Sequence, residues 1–291
     1  MTSESNLHEQ FFGQEHLTVI EPYKGLFDLK LRELWAYRDL ILLFVRRDFV
    51  AQYKQTVLGP AWHIIQPLLT TVIFTIVFGR IAQISTDGAP PFLFYMAGTV
   101  IWGYFAGVLQ DTSGTFIRNA HIFGKVYFPR LAVPVATLMS KFIGFAIQFV
   151  FFIGFLLFFM ASGANVAPNG ALLLLPILLV MMAAFGLGLG VIVSAATTRY
   201  RDLAVVVSFG VQLYMYLSPV VYPMSSLSEH YRTLMAFNPV APILETFRYA
   251  TLGIGGASVA ELTIAAGVIF VVLAIGVTLF NRVERTFMDT V

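Results

Sequence analysis

Long apolar runs separated by short polar segments dominate the chain. They predict six membrane spans of roughly 20 residues, the length a bilayer core requires. The runs cover about 63–84, 92–112, 132–160, 171–197, 203–222 and 259–281. The third contains the uninterrupted string FIGFAIQFVFFIGFLLFFM, and the third and fourth are long enough to tilt or project. Gly98, Gly103, Gly107 and Asp111 make the second run the weakest. Ahead of the first run, residues 31–57 predict an amphipathic helix ending before Gly59-Pro60. At helical spacing Asp39, Arg46, Arg47 and Lys54 share one side, and Trp35, Ile41, Val45 and Phe49 fall largely on the other. The segment 223–258 is too apolar for a plain loop, and Pro239 and Pro242 divide it into two half-length helices, about 228–237 and 242–252. Pieces too short to span either dip back into the membrane or cap its face.

The expected fold is therefore an all-α polytopic membrane protein: a cytoplasmic tail (1–30), an amphipathic interface helix (31–57), a six-span domain (58–281) and a cytoplasmic C-terminal tail (282–291). Composition supports this, since 58% of the 291 residues are hydrophobic and 12% are charged, against about 25% charged in soluble domains. Charge placement sets the orientation. With the N-terminus inside, fourteen Lys and Arg fall on inside segments; outside ones carry only Arg80, Arg232 and Arg248, and Lys141 sits within a span. That asymmetry predicts a multi-pass protein of the cytoplasmic membrane with both termini cytoplasmic. The polar, acidic start MTSESNLHEQFFGQEHLTVIEP lacks the basic and apolar regions of a cleaved signal peptide.

Several chemistries find no support. There is no cysteine, and the five histidines show no metal-ligand spacing. No nucleophile elbow G-x-S-x-G occurs. Gly124-Lys125 is followed by Val126, so no phosphate-binding loop is present and a nucleotide would have to be bound by another chain. Nothing points to nucleic acid. Ionisable residues within spans are functional hypotheses by default; Lys141 either snorkels to the cytoplasmic face or pairs with Asp111, near the end of the second span. Aromatic residues form 15% of the chain. Trp62 and Trp102 suit interfacial anchoring. Tyr95, Tyr104, Phe105, Tyr214, Tyr216 and Tyr222 are candidates for a sugar-stacking channel lining, with bundle packing as the alternative.

The ordered strings RRDFVAQYKQTVLGPAWHIIQPL, KVYFPRLAVP, RYRDL, SPVVYP and NPVAPILETFRYATLG resemble the membrane subunit of ABC-2-type polysaccharide exporters, the permeases for O-antigen, capsule and teichoic-acid chains. The resemblance covers roughly residues 20–285. It implies a homodimer forming a channel, paired with two copies of a separate ATPase that binds ATP and Mg, and it implies no cofactor in this chain. The implied cargo is an undecaprenyl-diphosphate-linked glycan. By the same resemblance Arg46, Arg47 and Lys54 would lie where the diphosphate head group is admitted. Phe116, Arg118, His121, Phe123, Lys125 and Tyr127 would belong to a coupling helix docking the ATPase, and 223–252 to external gate helices. Arg46 and Arg47 could equally bind ordinary lipid phosphates. Two rival functions remain: an ABC-2 permease for a small molecule or lipid, and a six-span enzyme acting on lipid-linked sugars.

Overall fold

The structure, a computed structural model, describes residues 31–287 apart from 55, 124, 127, 198, 199, 201 and 236, and excludes the side chains of 31, 32 and 284–287. The expected tail 1–30, and Arg199 and Arg201 of the RYRDL string, lie outside the described residues. Among the described residues the chain is helical, with no strand.

Two short helices come first, α1 (Leu31–Ala36) and α2 (Arg38–Tyr53). The expected single helix is thus broken at Tyr37, whose backbone (φ −93°, ψ 18°) is not helical. The break changes which side packs. Leu34, Ile41, Phe44 and Val45 are buried, whereas Trp35, assigned above to the same side as Ile41, is 72% exposed. Ile41, Phe44 and Val45 follow i, i+3, i+4 spacing and bed α2 against the start of the third span.

Among the described residues five helices are long and apolar enough to cross a membrane: α3 (Gly59–Ile81), α4 (Pro91–Ser113), α6 (Ala132–Ala161), α7 (Gly170–Thr197) and the 259–283 part of α11 (Val259–Phe287). Between α4 and α6 lies the short α5 (Thr115–Phe123). The expected fifth span, 203–222, forms only the 15-residue α8 (Leu203–Leu217). Such a helix reaches about 22 Å, less than a bilayer core of about 30 Å. Its end has a local cause: Ser218 precedes Pro219 and is extended (φ −102°, ψ 151°), the conformation proline imposes on the residue before it. The half-length helices follow as α9 (Glu229–Met235) and α10 (Val240–Leu252).

The span with the weakest sequence signal is the centre of the molecule. Of its most apolar window 78% is buried, against 11% for α3. Helices gain little hydrophobic driving force from meeting in lipid, so close approach of small residues decides which ones pack. Gly186 and Gly190 of α7 supply it: a Cβ on Gly186 would lie 3.0 Å from the Phe105 carbonyl oxygen, and one on Gly190 2.6 Å from Thr112 Cβ. Thr197 Oγ1 donates to the Ser113 carbonyl at 3.2 Å, tying the same two helices at their ends. A second apolar cluster gathers α1, α2, α5, the start of α6 and part of α11 through Phe44, Phe116, Phe123, Phe128 and Phe280.

Candidate functional site

Charged side chains meet at both ends of α4. Near its C-terminal end, a cavity of about 610 Å³ is walled by Arg47, Asp48 and Gln52 of α2, Asp111 of α4, Thr115, Arg118, Asn119 and His121 of α5, and Thr137, Ser140 and Lys141 of α6. Asp111 is its hub: Oδ2 lies 2.6 Å from Lys141 Nζ, and Oδ1 lies 3.5 Å from Arg118 Nη1. Of the two readings of Lys141, the structure therefore has the ion pair. Arg47 pairs with Asp48 at 2.8 Å and lies over the Phe44 ring at 4.7 Å. Three cations thus face two carboxylates around this vestibule, a surplus of one positive charge before His121 is considered.

A second space lies beside the vestibule. A cleft of about 330 Å³ runs between α3, α4, α6 and α8, lined by Trp62, His63, Gln66, Thr70, Trp102, Gly103, Tyr104, Gly107, Gln148 and Met215 among others. Gln52 and Lys141 line both spaces, so the two adjoin with these side chains between them. The glycines that weakened the second span open it. Gly103, Gly107 and Asp111 recur every four residues and so share a face of α4. A Cβ on Gly107 would lie 3.2 Å from Lys141 Cδ, and one on Gly103 3.7 Å from Gln148 Oε1.

Of the three residues expected near the head group, only Arg47 lines the vestibule; Arg46 and Lys54 are exposed elsewhere on α2 and its C-cap. The expected coupling residues divide by face. Phe116 and Phe123 are buried, with Phe116 stacked on Phe280 at 4.5 Å, and so root α5 in the bundle. Arg118 and His121 line the vestibule, and Lys125 is exposed just beyond α5. Tyr127 lies outside the described residues.

The aromatic set divides between core and cleft. Tyr95 and Phe105 have no exposed surface, so in this conformation they pack the protomer core and present nothing to a channel. Tyr214 packs tilted or edge-on against Trp102, Phe105 and Phe185, and its hydroxyl donates to Asn238 Oδ1 at 2.6 Å, fastening α8 to the segment before α10. Tyr104 is nearly buried yet borders both the cleft and an apolar groove of about 570 Å³ on the other side of α6. Tyr216 is half exposed and Tyr222 half-buried, and neither lines the cleft.

At the other end of α4 lies a cluster the sequence analysis passed over. Arg248 of α10 is 1% exposed. Its Nη1 donates to the Pro219 carbonyl at 2.6 Å and its Nη2 to the Val220 carbonyl at 2.6 Å. Glu245 Oε1 is 3.3 Å from Nη1, and the guanidinium lies over the Phe94 ring at 3.8 Å. Carbonyls left over by the early end of α8 thus find their donors in this one side chain. Burial lowers the Arg248 pKa from its ordinary value, with the Glu245 charge opposing. Burial likewise raises the Glu245 carboxyl above its ordinary value, opposed by Arg248. The signal was present as a Glu-x-x-Arg pair inside an otherwise apolar helix.

A bundle of apolar helices enclosing a charged vestibule and a polar cleft is the architecture of a membrane transport protein. The chain belongs to the ABC-2 type transporter family, whose sequence model matches residues 39–252. It is thus the membrane component of a transporter. It is similar to an O-antigen export system permease protein RfbA of Klebsiella pneumoniae, 26% identical over 252 residues that cover 86% of this chain and 94% of the relative. An O-antigen export system permease protein RfbA of Myxococcus xanthus is 25% identical over 220 residues, covering 75% of this chain and 82% of the relative.

Proposed function

We propose that this chain is the permease of an ATP-driven exporter that moves a lipid-diphosphate-linked polysaccharide of O-antigen type across the cytoplasmic membrane. Two copies form the channel, and each docks a separate ATPase that binds ATP and Mg. The observation that carries this reading is the cationic vestibule adjoining a polar cleft, placed beside the basic helix α2. An anionic head group on a membrane-bound cargo fits such a threshold, because arginine forks match phosphate oxygens and a lysine adds a mobile point charge. The relatives' names supply the cargo class. Both termini and α5 face the cytoplasm in this reading. The exposed Lys125 and the outer face of α5 then meet the ATPase, and the buried Phe116 and Phe123 pass its motion to α7 and α11.

The test is ATPase stimulation in the reconstituted complex of this chain with its ATPase. Lipid-linked O-antigen raises the hydrolysis rate, and a panel of small amphiphilic drugs does not. Stimulation by the drugs without a response to the glycan lipid would establish the rival small-molecule permease instead.

A further inference from the structure

We propose that Lys141 and Arg118 form a specificity site for a diphosphate-bearing amphiphile, with the Asp111 carboxylate acting as a built-in competitor that sets how much negative charge a ligand must carry. The inference rests on the cargo class proposed above but concerns different residues from the expected trio. Its geometry is explicit. Each Asp111 carboxylate oxygen faces one cation, Oδ2 toward Lys141 Nζ at 2.6 Å and Oδ1 toward Arg118 Nη1 at 3.5 Å. A diphosphate carries oxygens on two phosphorus atoms and more negative charge than one carboxylate, so it outcompetes Asp111 for Lys141 and Arg118 together. A monophosphate lipid has less charge to offer against the resident anion and is held back.

Position supports the assignment. Lys141 lines both the vestibule and the cleft, so whatever holds its ammonium acts where cargo passes from one to the other. Gly107 leaves room for the lysine stem to lie across α4. The three side chains are also accessible enough for exchange: Lys141 is 25% exposed, Asp111 39% and Arg118 54%. Arg47, on the facing helix, adds a third cation to the same cavity, and with Asp48 as its partner it leaves the vestibule one positive charge in surplus.

The experiment measures binding to the purified full-length chain in lipid nanodiscs, with farnesyl diphosphate, farnesyl monophosphate, farnesol and inorganic pyrophosphate as probes. Wild type binds farnesyl diphosphate more tightly than the other three. Asp111→Asn, which keeps shape and hydrogen bonding but removes the charge, raises monophosphate affinity about threefold and narrows the preference for diphosphate. Lys141→Gln lowers diphosphate affinity about tenfold, the weight of a charge-assisted contact, and Lys141→Arg retains most of it. Unchanged or weaker monophosphate binding in Asp111→Asn overturns the competitor role. Inorganic pyrophosphate binding as tightly as farnesyl diphosphate overturns the amphiphile assignment. A wild type that prefers diphosphate while ignoring both substitutions sinks this inference and leaves the cargo reading standing; a wild type that binds farnesyl diphosphate no better than farnesol sinks both.

Discussion

The two charged clusters at the ends of α4 use the same chemistry to opposite ends. Around Arg248 the acceptors are fixed backbone carbonyls of Pro219 and Val220, the charge is 1% exposed, and the ring of Phe94 closes one face. Around Asp111 the partners are flexible side chains 25% and 54% exposed, bordering an open cavity. A guanidinium locked on backbone cannot exchange partners without undoing the local fold. An ion pair at a wet surface holds its partners weakly and exchanges them readily. The first cluster fastens the α8–α10 segment onto the central helix, and the second is suited to handling an anion.

Substitutions should separate the two. The largest effect on stability belongs to Arg248→Met, which takes the guanidinium from the buried Pro219 and Val220 carbonyls and leaves the Glu245 carboxylate with the Met224 amide but no counter-charge beside it. A loss of about 3–5 kcal/mol is expected from breaking one side of a buried pair. It should appear as a steep drop in thermal unfolding midpoint and in membrane protein level. Arg248→Lys should not restore it, since one ammonium cannot reproduce a planar fork stacked on Phe94. Next comes Gly98→Ala. The added Cβ would sit 2.7 Å from the Val220 carbonyl oxygen and 2.9 Å from Arg248 Nη2, so the backbone of 219–222 must move. A cost of about 1–3 kcal/mol follows, the usual range for overpacking. The same thermal unfolding assay checks it, and an unshifted midpoint would show that the α8–α10 junction is looser than its geometry implies.

Much of this architecture was legible in the sequence, and the exceptions share a cause. Long uninterrupted runs such as 132–160 announced their helices because lipid demands length and apolarity together. The second run seemed weakest because glycines and an aspartate lower its hydropathy. Those same residues make α4 the central helix, since Gly98 and Gly107 admit neighbours that a side chain would crowd. Hydropathy measures affinity for lipid, and a helix surrounded by protein is released from that demand. The candidate site was half visible. Arg47 was read for the head group, Arg118 and His121 for coupling, and Lys141 with Asp111 as one pairing within the spans, and the fold brings all five into one vestibule. Their convergence depends on α2 folding back onto the start of α6, a tertiary contact that helical periodicity cannot report. Tyr95 and Phe105, read for a channel wall or for bundle packing, are buried here, and the sequence could not separate the two readings because an aromatic ring carries the same signal in a core as in a channel wall.

The comparison turns on whether the Asp111–Lys141 pair serves transport or architecture, and Lys141→Gln decides it. Removing a partly exposed ion pair costs under about 1 kcal/mol, so the variant should accumulate in the membrane as wild type does. Glycan export, measured as surface polysaccharide at matched permease level, should then fall about tenfold if the ammonium contacts the diphosphate of the cargo. Wild-type export by a normally accumulated Lys141→Gln protein would contradict the account.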